Sequence, residues 1–169
     1  SNYVEWGDYD KDGDLDILNT MYGDNASANS RILVNQGNYN FQIDTLNKFE
    51  SIELGVGKWG DFNNDGYPDV FLAGHNSSKG ISSLKIYQNN HSNFQELANF
   101  KETGLASSMI ELGDIDNDGW LDFIVTGVGD KDVETRVYKN INGERFEKLA
   151  GEKIQGVERG SLKLRDIDN

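Results

Sequence analysis

The 169-residue sequence has no cysteine, one proline and two histidines. The first absence excludes disulfides and thiolate metal sites. The third leaves little for nitrogen-ligated metals or histidine-based catalysis. No apolar run reaches the ~18–20 residues of a membrane span. Basic residues are also scarce. Sixteen Lys and Arg stand against 29 Asp and Glu, a net charge of −13, so the basic footprint that nucleic-acid binding needs is missing. Sequons at Asn25, Asn76 and Asn90 are what chance gives in an Asn-rich chain.

The acidity is organised. One nine-residue stretch occurs three times: Asp8 to Asp16, Asp61 to Asp69 and Asp114 to Asp122. A fourth opens at Asp166-Ile167-Asp168-Asn169. The repeat length is therefore about 53 residues. Asp stands at positions 1, 5 and 9, Asp or Asn at position 3, and Gly at position 6. Oxygen side chains in that spacing converge on one point, and Gly permits the backbone to reverse with φ > 0. The position-7 carbonyl can then turn inward. Hard oxygen donors alone suit Ca²⁺, with its 6–8 ligands in flexible geometry, better than Mg²⁺ or Zn²⁺. Asp, Asn and Gly are also ordinary turn formers, but three copies in one register exceed that reading. An EF-hand loop would end in Glu at position 12, where this chain has Asn19, Leu72 and Val125. Three bound divalent ions would offset six of the thirteen excess negative charges.

Around each loop the pattern has the period of strands. Apolar residues fall four and two places before the first Asp, except at Gly57, with a charge between them: Val4-Glu5-Trp6, Gly57-Lys58-Trp59, Ile110-Glu111-Leu112 and Leu162-Lys163-Leu164. Leu15 to Thr20, Pro68 to Ala73 and Leu121 to Thr126 follow as strands covered on both faces, with Pro68 as a first strand residue. Polar loops are expected at Tyr22 to Asn29, Gly74 to Ser82 and Gly127 to Val133. A third strand then ends at Asn35, Asn89 or Asn140, and a fourth carries Phe41, Phe94 or Phe146. Four strands per repeat at this length predict propeller blades. The blades are expected over 1–53, 54–106 and 107–159, with the first strand and partial loop of another over 160–169. The fold class is all-β.

The motif Gly-Asp-apolar-Asp/Asn-x-Asp-Gly-x-x-Asp, as in Gly60 to Asp69 and Gly113 to Asp122, resembles the FG-GAP/VCBS-type repeats of calcium-binding β-propellers, the family of the integrin α-subunit head. The Gly-Ala-Pro element of the integrin version is absent, which favours the bacterial VCBS-like branch. The resemblance implies a propeller of six to eight blades. It implies side-chain ligands at Asp8, Asp10, Asp12 and Asp16; at Asp61, Asn63, Asp65 and Asp69; and at Asp114, Asp116, Asp118 and Asp122. Asp14, Tyr67 and Trp120 would add carbonyls, and Asp166 and Asp168 begin a truncated fourth site.

No nucleophile, base or phosphate-cradling loop can be assembled. His75 and His91 fall in expected loops or turns. Trp6 and Trp59 are expected to pack, whereas Tyr67 and Trp120 suit either a lid over the hairpin or a surface that stacks on a partner. The function expected is a calcium-stabilised extracellular scaffold, not an enzyme, that binds protein or glycan. A structural subunit of a surface assembly or filament and a carbohydrate-active or enzyme-associated propeller domain are the alternatives. Open blade edges imply self-association or further blades.

Overall fold

A computed structural model describes residues 3–22, 28–150, 154–157 and 160–165. Among these the protein is all β, in three four-stranded antiparallel sheets with no helix, and so with no helix long and apolar enough to cross a membrane. The first sheet holds β1 (Tyr3–Gly7), β2 (Asp16–Tyr22), β3 (Ala28–Asn35) and β4 (Phe41–Ile43). The second holds β5 (Glu53–Gly60), β6 (Asp69–Asn76), β7 (Ile81–Asn89) and β8 (Phe94–Glu96). The third holds β9 (Ala106–Gly113), β10 (Asp122–Val128), β11 (Val133–Ile141) and β12 (Arg145–Lys148). Each is a meander in chain order.

The sheets stack face to face through two cores. Tyr9, Leu18 and Ile32 of the first repeat pack with Val70, Leu72 and Tyr87 of the second. Phe71, Ala73, Leu84 and Ile86 pack with Ile110, Phe123, Val125 and Tyr138 of the third. Period-two alternation therefore sends Val70 and Leu72 one way and Phe71 and Ala73 the other. Only the middle sheet is covered on both faces, and β6 is buried along nearly its whole length. The expectation that all three second strands are doubly covered is thus corrected: Ile17 and Asn19 of β2 are only half-buried.

Glycine sets the stacking distance. A Cβ on Gly7 would meet the Trp59 ring at 2.6 Å, one on Gly60 would meet Leu112 Cδ1 at 2.5 Å, and one on Gly113 would meet Leu164 Cδ1 at 3.0 Å. The residue two places before each loop therefore lies on the glycine before the preceding loop. Trp59 packs as expected, stacked on Tyr9 at 6.1 Å. Trp6 meets only Phe41 edge-on and stays 56% exposed.

Four local expectations need correction. Pro68 lies one residue before β6 rather than in it, since without an N–H it cannot donate to the ladder. The loop expected over Gly74 to Ser82 is mostly strand, because β6 and β7 stay paired as far as Asn76 and Ile81. His75 is accordingly a strand residue opposite Glu53. Residues 160–165 are not strand. A first strand is defined by its ladder with a partner strand, and residues 160–165 pair with none among the described residues. Leu164 still occupies the stacking position of Trp59 and Leu112. Asn76 of the second sequon is buried, and its amide donates to Glu50 Oε1 at 2.7 Å.

Candidate metal centre

Each complete loop closes a hairpin whose ladder ends at the glycine before it and its position-9 acid: Gly7 with Asp16, Gly60 with Asp69, Gly113 with Asp122. The chain reverses by two left-handed residues. Gly13, Gly66 and Gly119 at position 6 have φ of 94°, 86° and 89°. Lys11, Asn64 and Asn117 at position 4 have φ of 61°, 55° and 58°. Sequence reasoning found only the first of these. Asn at position 4 in two loops was the available signal, since Asn tolerates this region.

The acids divide into two jobs. Position 9 is a structural clamp. Asp16, Asp69 and Asp122 are buried. In each, Oδ2 accepts the position-2 N–H, at 3.3, 2.9 and 2.9 Å. Oδ1 accepts the N–H of Asn35, Asn89 or Asn140 at 2.8, 2.8 and 2.7 Å. Burial pushes the Asp16 carboxyl up to about 6 and that of Asp69 up to about 7, against these hydrogen bonds. Positions 1 and 5 organise the turn. The position-6 N–H donates to Asp8, Asp61 and Asp114 at 3.1, 2.7 and 2.8 Å. The N–H of Asp14, Tyr67 and Trp120 donates to position 5 at 2.8, 2.8 and 3.0 Å.

The carboxylates of positions 1, 3 and 9 come together. Ligand oxygens of Asp8, Asp10 and Asp16 lie within 4.8 Å of one another, and so do those of Asp114, Asp116 and Asp122. Asp12 and Asp118 are outside these groups. In the second loop Asn63 Nδ2 donates to Asp65 Oδ2 at 2.8 Å. Asp8 Oδ1 is buried without a hydrogen-bond partner. That orphaned oxygen, in an all-oxygen donor set, fits a hard cation. The third loop differs. Lys139 Nζ pairs with Asp116, and with Asp118 Oδ2 at 3.1 Å. Those acids hold its ammonium well above the usual lysine range, and Asp118 is correspondingly lowered, first by the Trp120 N–H and then by Lys139. Asp166 and Asp168 lie outside the described residues.

Tyr67 and Trp120 are half-buried. Tyr67 meets His91 in a tilted contact at 4.5 Å, with Lys11 Nζ 4.7 Å from its ring centre. Trp120 lies over the Asn142-Gly143 turn, close to Asn63. Both act as lids across adjacent loops.

Residues 61–125 match the family model described as an FG-GAP-like repeat. The match runs from the first Asp of the second loop, through β6 to β9 and the third loop, into β10. Residues 61–125 are an FG-GAP-like repeat. The unit is thus phased from loop to loop, and the all-β architecture of three four-stranded antiparallel sheets is consistent with FG-GAP-like blade repeats of a β-propeller-type domain. No curated protein matches the chain.

The FG-GAP phasing explains what sequence reasoning noted but did not assign: the strand-three asparagine. Asn89 Nδ2 donates to Pro68 O in its own loop at 3.0 Å and to Tyr9 O in the preceding one at 2.8 Å. Asn140 Nδ2 repeats this with Leu121 O at 3.1 Å and Phe62 O at 2.7 Å. Each fully buried asparagine therefore ties one loop to its neighbour.

Proposed function

We propose that each complete loop binds Ca²⁺ and that the chain is a calcium-stabilised binding scaffold of a β-propeller outside the cell, not a catalyst. The convergence of Asp8, Asp10 and Asp16, with Asp8 Oδ1 buried and unpartnered, carries this reading. A divalent ion there removes the mutual repulsion of the three acids and keeps Asp16 ionised despite its burial. The residues that hold it are those of positions 1, 3, 5 and 9, with the position-7 carbonyl. Extracellular modules bind Ca²⁺ at ~10⁻⁴–10⁻³ M, which suits a calcium-rich exterior. Partners are proteins or glycans.

The outward faces of the end sheets take further blades. Ile17, Asn19, Leu33, Phe41 and Trp6 of the first sheet stand where Val70, Leu72, Tyr87, Phe94 and Trp59 of the second are covered by the first. Ile115, the position-2 residue of the third loop, is 44% exposed, whereas Tyr9 and Phe62 are buried under the next blade.

Calorimetric calcium titration and thermal unfolding test the reading. At 1 mM Ca²⁺ each site should contribute roughly 0.4–1.4 kcal/mol. Chelation should lower Tm, and Asp118→Ala should remove one site. An unchanged Tm and unchanged proteolysis in chelator would end the structural role for calcium.

A further inference from the structure

The first strands β1, β5 and β9, with residues 160–163, border a recess of about 790 Å³ that no loop acid lines. That size falls within the range of small-molecule sites. Two successive repeats give it the same pair of positions, Leu54 and Gly55 and then Ser107 and Ser108, and Gly160 and Ser161 add to its lining. In the second and third sheets that pair is a bulge. The ladder shifts between Glu53 and Val56 in β5, and across from Thr126 to Val128 in β9. Leu54 and Ser107 have φ of 47° and 49°, left-handed values that are costly for such residues and concentrate at functional sites. A bulge leaves its extra residue off the ladder.

Ser108 is the independent observation. It is 6% exposed, forms part of the recess wall, and its hydroxyl has no hydrogen-bond partner among the described residues. Buried hydroxyls nearly always have one, and the hydroxyl rotor can turn to suit a bound group.

The charged residues of the recess wall, Lys58, Glu111 and Lys163, are joined by Glu5, which pairs with Lys58 from outside the lining. The residue three places before each loop alternates as Glu5, Lys58, Glu111 and Lys163. Lys58 Nζ lies 3.3 Å from Glu5 Oε1 and 3.6 Å from Glu111 Oε2. The Tyr3 hydroxyl donates to Glu5 Oε2 at 2.7 Å. Counted with Glu5, two acids and two bases offer neither an anion nor a cation an excess of opposite charge. They do offer fixed donors and acceptors to vicinal hydroxyls, beside the aliphatic surfaces of Val56, Met109 and Leu162.

We propose that this recess binds a neutral saccharide of one or two rings. The proposal rests on the binding-scaffold reading above but not on calcium. The test is a ¹⁵N-resolved NMR titration of the whole chain in saturating Ca²⁺ with neutral mono- and disaccharides, and with glucuronic acid and glucosamine as charged controls. A neutral sugar should shift the amides of 54–58 and 107–111, and Ser108→Ala and Glu111→Gln should each weaken it about tenfold. No shift with any neutral sugar, shifts only with a charged one, shifts confined to other residues, or undiminished affinity in Ser108→Ala would each overturn it. Calcium calorimetry on the same samples reports the metal reading separately, so the two can fail independently.

Discussion

The three strand-three asparagines form a matched set that measures what joins one blade to the next. Asn35, Asn89 and Asn140 make the same contacts within their own repeats. The Nδ2 group donates to the position-8 carbonyl, at 3.1 Å to Leu15, 3.0 Å to Pro68 and 3.1 Å to Leu121. Oδ1 accepts from the following turn, at 3.0 Å from Gly37, 2.7 Å from Ser92 and 2.9 Å from Gly143. Only Asn89 and Asn140 add the bond to the preceding loop, at 2.8 and 2.7 Å, and only they are fully buried. Replacement by Ala leaves each partner unpaired. A buried carbonyl left so costs about 1–3 kcal/mol, and each partly exposed partner about 1. Asn89→Ala and Asn140→Ala should therefore cost about 3–5 kcal/mol, and Asn35→Ala about 1–2. Against a total stability of about 5–15 kcal/mol, the first two are severe. At roughly 2–4 °C per kcal/mol for a chain of this size, they should lower Tm by about 10 °C. Urea unfolding of all three variants at one fixed, saturating calcium concentration is the assay. Equal losses at Asn35 and Asn140 would refute the argument that this residue works between blades.

Two further perturbations address the loops. Lys139 already neutralises acids of the third loop, so its calcium site should be weaker than that of the first. An ammonium within ~5 Å of a divalent ion repels it even in water. Calorimetry of Lys139→Met should thus show that site tightened about tenfold, and no change would show that the lysine swings clear. The second concerns pH in chelator. Asp69 has its carboxyl raised from 3.8 to about 7 by burial. Below about pH 4 it is protonated both folded and unfolded. Above that the unfolded chain ionises first, so the folded state loses up to about 4 kcal/mol as pH rises through 7. Asp16, raised to about 6, acts in the same direction. Denaturant midpoints in chelator should fall between pH 5 and 8, and calcium should flatten that slope. A rise in chelator would contradict the burial argument.

The sequence by itself determined the repeat, the strand order within it and the loops in which acids are spaced to meet. These depend on local rules: period-two apolarity, left-handed residues at a tight reversal, and like charges at fixed spacing. Position 6 was legible because Gly there is invariant across the three loops, whereas position 4 was not, because Lys11 masks the pattern that Asn64 and Asn117 set. The tertiary structure alone decided which partner each repeat meets. The role of Asn89 lies in a carbonyl 80 residues away, and that of Gly7 in the ring of Trp59. It alone also put Lys139 on the third loop and brought two bulges to one recess. Such contacts are made by stacking whole sheets, and a distance across the stack leaves no mark in the local pattern of either sheet.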